Sequence, residues 1–393
     1  MRYLVTPSAY KGSFSPAQIA NAISDGIKRF DPDSELVLAP IADGGDGTIE
    51  ALRVGTGGVV HTLDVQGPTG QEVTAQWLEV EQSPNTDEDF SFVHPDERKS
   101  KPLAVAELAS ACGLAYLAPQ DLAPLDSTTV GAGEVLKHLI AAGHRNVVLA
   151  VGGSASTDGG TGILHAMGAR FFDTEGNALP PAGRSLPNIK SVDLSALQVW
   201  KHGLRLRVAT DVINPLLGAD GAAAIFAPQK GASPADVELL ENGLRNLADV
   251  LESHTGKLAR DLTGAGAAGG VPFGLAVALD AEIIPGFRWI ASLLDLDAKV
   301  QNADVVISAE GSLDSQSVSG KATGELAQMC KDRNKPLWVI PAIMQPDIHW
   351  PTFGIAKVKA SAHDGNLATI EDVADAAYQL CLELSNETAH RVK

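Results

Sequence analysis

Carboxylates recur in loops that directly follow short apolar segments of this chain, and glycine accompanies most of them. The carboxylates that share this setting are Asp43, Asp46, Asp158, Asp211, Glu310 and Asp314. At such positions a carboxylate can hold Mg²⁺ or accept a proton, and glycine lets backbone N–H groups approach a phosphate closely. Ligands of open α/β sheets bind outside the carboxyl ends of the strands. The repeated pattern therefore predicts a ligand site at such an edge.

The strongest single motif is a run of small residues at positions 152–160, called here the first glycine loop. It consists of Gly-Gly-Ser-Ala-Ser-Thr-Asp-Gly-Gly and lies between a predicted strand and a predicted helix. Its amides and small hydroxyl groups suit an anion, with Gly152, Gly153, Ser154 and Asp158 as the predicted contacts. A tight turn with positive φ would also use glycine, but this loop has more glycines and hydroxyls than a turn needs.

Basic residues near the predicted strand ends offer a partner for a negatively charged substrate. Lys11 follows the first predicted strand, Lys321 follows a glycine, and Lys230 lies in a Gln-Lys-Gly segment. A lysine at a strand end can balance a carboxylate or a phosphoryl group in transfer. The alternative for any single lysine is an ordinary solvated surface position.

Two interpretations stay open for each of two carboxylate pairs. Asp43 and Asp46 can act as proton acceptor and substrate hydrogen-bond partner, or they can form a solvated turn in which Asp46 caps a helix. Glu310 and Asp314 can ligate magnesium, or they can belong to a turn closed by an aspartate side chain.

Several formal motif matches fail on their context. The G-x-G-x-x-G pattern at residues 264–269 follows no clear strand, so it supports an NAD-dependent oxidoreductase only weakly. We call residues 264–270 the second glycine loop. Gly320 and Lys321 lack the upstream glycine of a Walker A loop, the histidines have no metal-ligand spacing, and no G-x-S-x-G segment occurs.

Alternating strands and helices at both chain ends are predicted to position these loops. Ser15 and Gln18 form a capping box before the first helix, and Thr369 and Asp372 form one before the last. The strands predicted at the chain ends span residues 3–5, 36–41, 305–308, 337–340 and 355–358. The middle is predicted to contain a hairpin at 62–80 and, at 81–102, an exposed loop or the tip of a long hairpin. It is also predicted to contain strands at 103–108, 146–151 and 206–210, and helices at 128–142, 162–167 and 236–253.

This alternation predicts an α/β fold with two domains. Residues 1–60 plus 290–393 form one domain from both chain ends. Residues 61–289 form an inserted mixed α/β domain that carries the glycine-rich loops.

Composition narrows the function classes. The chain has 393 residues, and 30 Lys and Arg against 48 Asp and Glu give a net charge of −18. This charge argues against a nucleic-acid partner, and the lack of a long apolar run argues against a membrane span. The N-terminus lacks the pattern of a signal peptide. Three widely spaced cysteines argue against a disulfide framework or a zinc site and favour a cytoplasmic setting.

These motifs, in this order, resemble those of the bacterial glycerate kinases over nearly the whole chain. The matching segments are residues 11–13, 43–48, 152–160, 211–216, 221–232, 264–270, 310–317 and 320–321. The resemblance implies ATP-dependent phosphorylation of D-glycerate, in most bacterial members to 2-phosphoglycerate. It also implies a Rossmann-like parallel-sheet domain with a second α/β domain inserted, and an active site in the cleft.

The resemblance assigns roles to individual residues as expectations. Lys11 would face the substrate carboxylate or the γ-phosphoryl group, and Asp43 or Asp46 would orient or deprotonate the glycerate hydroxyl. Glu310 or Asp314 would hold Mg²⁺, with Asp211 as a further catalytic residue beside it. ATP would contact both glycine loops, and the expected contacts are Gly152, Gly153, Ser154, Asp158, Gly266, Gly269 and Lys321.

The chain departs from the family pattern at several positions. Ser8 replaces a carboxylate of the first loop, Ser312 replaces an arginine, and residues 341–344 replace a glycine-containing loop. A lost electrostatic group next to the reacting atoms can cost about 10²–10³ in rate. Two alternatives therefore stay open: a non-catalytic protein that binds glycerate or a nucleotide, and a kinase of a related small hydroxy acid. A homodimer is also left open.

Overall fold

A computed structural model describes residues 1–10, 12–81, 102–313, 322–344, 350, 354–361 and 368–391. Lys11, Asp314, Lys321 and nearly all of the loop predicted at 81–102 lie outside these residues. The strands are β1 (Arg2–Val5), β2 (Glu35–Leu38), β3 (Val59–Gln66), β4 (Glu72–Val80), β5 (Leu103–Glu107), β6 (Asn146–Ala150), β7 (Arg170–Phe172), β8 (Ser191–Asp193), β9 (Arg205–Ala209), β10 (Glu282–Ile284), β11 (Val305–Leu313), β12 (Leu337–Met344) and β13 (Ile355–Val358). The α-helices are α1 (Pro16–Phe30), α2 (Thr48–Thr56), α3 (Leu108–Cys112), α4 (Val130–Ala141), α5 (Thr161–Ala166), α6 (Gln198–Lys201), α7 (Ala222–Phe226), α8 (Pro234–Thr255), α9 (Val271–Leu279), α10 (Gly286–Leu293), α11 (Leu296–Asn302), α12 (Ala322–Asp332) and α13 (Ile370–Arg391).

The chain divides into two compact units. The terminal unit comprises Met1–Asp43, Glu50–Gly57 and Phe287–Lys393, and the inserted unit comprises Gly44–Ile49 and Gly58–Gly286.

The terminal unit contains a five-stranded sheet in the order β13-β12-β11-β1-β2, and all its strand pairs are parallel. Helices α1 and α13 lie together on one face of this sheet. The buried stripe of Ile19, Ile23 and Ile27 belongs to the same apolar cluster as α13. The two helices approach closely because Gly26 has no side chain: a β-carbon there would lie 2.1 Å from the carbonyl oxygen of Ala374.

Both predicted capping boxes are confirmed. The Gln18 amide donates to Ser15 Oγ, and the Ser15 amide donates to the Gln18 side chain at 2.9 Å. At the start of α13 the Thr369 amide donates to the Asp372 carboxylate at 2.8 Å, and the Asp372 amide donates to Thr369 Oγ1. These local hydrogen bonds satisfy amides that lack an intrahelical partner.

The inserted unit contains a six-stranded mixed sheet in the order β10-β9-β6-β5-β4-β3. Strands β10, β9, β6 and β5 are parallel, whereas β4 runs antiparallel to β5 and pairs with β3 as the predicted hairpin. A parallel sheet from both chain ends and a mixed sheet in the inserted unit confirm the predicted α/β fold class.

Short elements escaped prediction. The sequence analysis missed β7, β8 and β10, each of three residues, and the helices α3, α6, α7 and α9–α11. Three residues are too few to show an alternating pattern, and α9 is apolar on all sides because it is buried. Within the part of the chain that is described, no helix is long and apolar enough to cross a membrane.

Candidate active site

The parallel strands of the inserted unit end in register, and this places their following loops along one edge. Glu107 pairs with Ala150, Ala150 with Ala209, and Ala209 with Ile284. The edge therefore carries Glu107 at the end of β5, the first glycine loop after β6, and Asp211 after β9. Asp211 is half-buried at this edge.

The segment Gly44–Ile49 lies directly against this edge. The Gly152 amide donates to the Gly44 carbonyl oxygen at 3.2 Å. A β-carbon on Gly152 would lie 2.5 Å from Gly45 Cα, so the two chains touch through glycine backbones. The segment is closed internally by Thr48 Oγ1, which donates to the Gly45 carbonyl oxygen at 2.7 Å.

This contact brings Asp46 next to Gly153. A β-carbon built on Gly153 would lie 3.6 Å from Asp46 Cβ, and both residues are exposed. Gly153 has a φ of 79°, a left-handed conformation that favours glycine. Asp46 and the turn of Gly152 and Gly153 thus form an accessible group that combines a carboxylate with glycine backbone.

The rest of the first glycine loop is buried. Ser154 and every following residue up to position 160 are buried. The Ser154 hydroxyl lies 3.1 Å from Ser156 Oγ and accepts a hydrogen bond from the Ser156 amide. The Ser154 side chain, which was predicted to contact a nucleotide, thus makes its hydrogen bonds inside the loop.

Asp158 is the centre of this buried part, with no exposed surface. Its carboxylate accepts hydrogen bonds from the amides of Thr129 at 2.9 Å, Gly160 at 3.0 Å and Gly162 at 3.1 Å, and from Thr129 Oγ1 at 2.8 Å. Burial raises the pKa of the Asp158 carboxyl, and the hydrogen bonds from Thr129, Gly160 and Gly162 oppose that rise. Asp158 therefore fixes the course of the loop, and the conformation described offers no surface of it to a nucleotide.

Lys230 reaches the same buried region from another segment. Its side chain is among the largest fully buried ones, and Nζ donates to the Ser156 carbonyl oxygen. Burial lowers the pKa of Lys230 to about 8, and the charge of Asp158 partly opposes that shift. The structure thus places this lysine behind the first glycine loop rather than in solvent.

The second glycine loop packs on the first. The Gly159 amide donates to the Gly269 carbonyl oxygen at 2.9 Å, and a β-carbon on Gly269 would lie 2.4 Å from the Ser156 carbonyl oxygen. Gly266 is equally confined, because its β-carbon would lie 2.1 Å from the Pro215 carbonyl oxygen. The glycines predicted to bind the cofactor, Gly266 and Gly269, are buried, and their lack of a side chain permits close packing of backbone.

The terminal unit has its own carboxyl edge. The amide of Ser8 donates to the Ala309 carbonyl oxygen at 2.9 Å, and that of Ile41 donates to the Pro7 carbonyl oxygen at 2.9 Å. The loops after β1, β2 and β11 are therefore neighbours within this unit. Asp43, which is half-buried, follows β2 at this edge, and Glu310 lies near the end of β11, only 7% exposed.

Tyr10 anchors the loop after β1. Its hydroxyl donates to the Ile340 carbonyl oxygen at 2.8 Å and lies 3.3 Å from Ser361 Oγ. Burial raises the pKa of the Tyr10 hydroxyl, and the nearby Glu310 adds to the rise. The backbones of Tyr10 and Phe14 exchange hydrogen bonds at 3.0 Å. Lys11 itself lies outside the described residues.

A magnesium site made only of protein groups is absent from the described residues: no cluster of at least three His, Cys, Asp or Glu could hold a metal ion. Mg²⁺ in kinases is usually held by one or two carboxylates together with phosphate oxygens and water. Glu310 supplies such a carboxylate at a strand end, so the donor chemistry fits a magnesium ion shared with a nucleotide. Asp314, the second predicted ligand, lies outside the described residues.

Sequence reasoning passed over Glu107. Its carboxylate accepts a hydrogen bond from the Ile49 amide at 2.6 Å, and the residue is 8% exposed. It shares the strand-end setting of Asp211, but no glycine accompanies it, so the pattern of carboxylate and glycine did not include it. A search for any carboxylate at the end of an apolar strand would have found it.

Comparison with known proteins supplies an independent result. The model of the glycerate kinase family matches residues 3–391. The chain is 35% identical to the glycerate 2-kinase of Escherichia coli K12 over 348 residues, 88% of this chain and 87% of that protein. It is 36% identical to a glycerate kinase of Bacillus subtilis over 338 residues, 86% of this chain and 84% of that protein. A crystal structure of putative glycerate kinase 2 from Salmonella typhimurium LT2 superposes with a TM-score of 0.81 at 32% identity, covering 99% of each chain.

Proposed function

The chain belongs to the glycerate kinase family, and we propose on that premise that it transfers the γ-phosphoryl group of ATP to D-glycerate, with 2-phosphoglycerate as the product. The geometric observation that carries the proposal is the exposed Asp46 beside a glycine turn in which Gly153 is exposed and Gly152 is half-buried. A phosphoryl transferase needs such a pairing: open glycine backbone for phosphates, and a group that handles the acceptor hydroxyl.

Phosphoryl transfer depends mainly on positioning and charge stabilisation. In our proposal Asp46 accepts a hydrogen bond from the reacting glycerate hydroxyl and takes its proton as the oxygen bonds to the γ-phosphorus. The bond from that phosphorus to the β–γ bridging oxygen breaks, and ADP leaves with this oxygen. Gly152 and Gly153 admit the nucleotide phosphates, since neither has a side chain that would block a phosphate. Lys11, Asp43 and Asp211 stay predicted catalytic residues, and Lys321 stays a predicted nucleotide contact.

Glu310, with Asp314, is the proposed holder of Mg²⁺. A bound magnesium ion would offset the negative charge of the phosphates during transfer. Glu310 is suited to this task because it is a buried residue of β11, three positions before the strand ends, where the sheet fixes its position.

Four residues that were predicted to contact the nucleotide are buried, and we propose a different role for them. Ser154, Asp158, Gly266 and Gly269 shape and pack the glycine loops in the inserted unit. We therefore propose that they affect nucleotide binding through loop shape rather than by touching ATP.

The cellular setting is also a proposal. All three cysteines are buried and free, which suits the reducing cytoplasm that we propose.

A homodimer is the assembly to test, and light scattering of the purified protein would reveal it.

The function is tested by ADP release with ATP, Mg²⁺ and D-glycerate, beside L-glycerate, related hydroxy acids and a blank without acceptor. We expect turnover with D-glycerate and 2-phosphoglycerate as the product identified by NMR. Asp46→Asn should lower kcat by about 10²-fold or more. Asp173→Asn is the control, because it changes an aspartate in a surface turn of the same unit. Binding of ATP or glycerate without ADP release from any acceptor would reject the kinase and favour a binding protein.

A further inference from the structure

Glu107 is a buried acidic residue at the end of a strand. It ends β5 at the edge that carries the first glycine loop, and it is 8% exposed. A carboxylate loses much solvation when it is buried, so its burial requires compensating hydrogen bonds. One of these comes from the Ile49 amide, 58 positions away in the sequence, at 2.6 Å.

The donor belongs to the segment that carries Asp46. Ile49 lies in the first turn of α2, where backbone amides have no intrahelical partner. An acceptor oxygen at this position satisfies one such amide. Glu107 thus fixes the end of Gly44–Ile49 that follows Asp46.

The other end of the segment is fixed by the first glycine loop. The Gly152 amide donates to the Gly44 carbonyl oxygen at 3.2 Å. Asp46 therefore stands between two attachments to the same sheet edge, one from β6 and one from β5. If either attachment is lost, the carboxylate of Asp46 can move relative to the turn of Gly152 and Gly153.

From this geometry we infer that Glu107 is a positioning residue that holds Asp46 in place for phosphoryl transfer. The inference rests on the proposed function of Asp46. Hydrogen-bond acceptance by Glu107 is the property that matters, so glutamine, which keeps an acceptor oxygen, should substitute for it. A displacement of about 1 Å at a reacting group can cost 10²-fold in rate.

The test compares Glu107→Ala and Glu107→Gln with the wild type. We expect Glu107→Ala to lower kcat by about 10- to 100-fold with little change in KM for ATP, and Glu107→Gln to stay within about 3-fold of the wild type. Glu134→Ala is the matched control, because the Glu134 carboxylate also accepts one backbone amide, that of Gln66, at 2.8 Å. This control should lower thermal stability and leave kcat unaffected.

A double-mutant cycle with Asp46→Asn shows whether Glu107 acts through Asp46. When Asp46→Asn is already present, adding Glu107→Ala should lower kcat by a further factor of less than about 3. Equal loss of kcat in Glu107→Ala and Glu107→Gln would overturn the inference, because it would show that the charge itself is needed. Full additivity in the cycle would overturn it as well.

Amide hydrogen exchange of Gly44–Ile49 gives a readout that does not depend on activity. Exchange in this segment should be faster in Glu107→Ala than in the wild type, and close to the wild type in Glu107→Gln. Unchanged exchange in Glu107→Ala would refute the positioning role even if the wild type phosphorylates D-glycerate. A wild type without turnover but with the expected exchange pattern would instead refute the proposed function.

Discussion

Gly153 and Gly269 have similar positive φ values, 79° and 70°, but opposite surroundings. Gly153 is exposed beside Asp46, whereas a β-carbon on Gly269 would lie 2.4 Å from the Ser156 carbonyl oxygen. One glycine leaves room for a ligand, and the other leaves room for a neighbouring loop. Both belong to glycine-rich loops that looked alike as candidates for phosphate binding.

The same contrast separates Asp46 from Asp158. Asp46 is exposed, whereas Asp158 has no exposed surface and accepts hydrogen bonds from the Thr129 side chain and three backbone amides. A carboxylate that is saturated by internal donors stabilises its loop and has little capacity left for a ligand. Residue type and neighbouring glycines therefore identify loops of this kind, while burial decides which residues in them can meet a substrate.

Removal of the Asp158 carboxylate should have the largest effect. Asp158→Ala leaves the amides of Thr129, Gly160 and Gly162 without their acceptor, and we expect a loss of about 3 to 5 kcal/mol in unfolding free energy. Asp173→Ala is the control, because Asp173 accepts amides of Glu175 and Asn177 in a surface turn where water can replace it. Urea unfolding measures both variants. Equal losses would show that burial does not distinguish the two aspartates.

Alanine at the two glycines tests their opposite surroundings directly. Gly269→Ala adds both a strained backbone and an overlap with the first loop, so we expect a loss of about 2 to 4 kcal/mol. Gly153→Ala adds backbone strain and a milder contact, 3.2 Å from Ala109 Cβ, at a cost of about 1 to 2 kcal/mol, but it should raise KM for ATP. Thermal unfolding and initial-rate kinetics check the pair. A larger loss of stability in Gly153→Ala would invert the comparison.

A pH dependence from Lys230 is expected to be smaller than the effect of removing the Asp158 carboxylate. Burial lowers its folded-state pKa to about 8 from the usual value of 10.5, so the unfolded chain binds more protons between these values. The cost of its burial is thus complete below pH 8 and disappears as the pH rises toward 10.5. Between pH 7 and 9.5 the wild type should gain about 2 kcal/mol of stability relative to Lys230→Met. If the difference in unfolding free energy between the wild type and Lys230→Met stayed constant from pH 7 to 9.5, burial would not lower the pKa of Lys230.

The sequence by itself determined the local structure and the family. The capping boxes at Ser15 and Thr369 require only residues a few positions apart, and the structure has both. The hairpin of β3 and β4 follows from alternating residues around a turn with glycine and proline. The parallel sheet of the terminal unit also followed from strands and helices that alternate at both chain ends. Such signals lie within short stretches of sequence, so they can be recognised without knowledge of the fold.

Only the tertiary structure decided which of the predicted site residues are accessible. Asp158 and Gly269 became internal, and Glu107 became a partner of Ile49, through contacts between positions far apart in the chain. The sequence contains the carboxylates and glycines, but not the distances between segments that fold onto one sheet edge. Burial and hydrogen bonding depend on those distances, and they determine whether a carboxylate is occupied by the protein's own amides or available to a substrate.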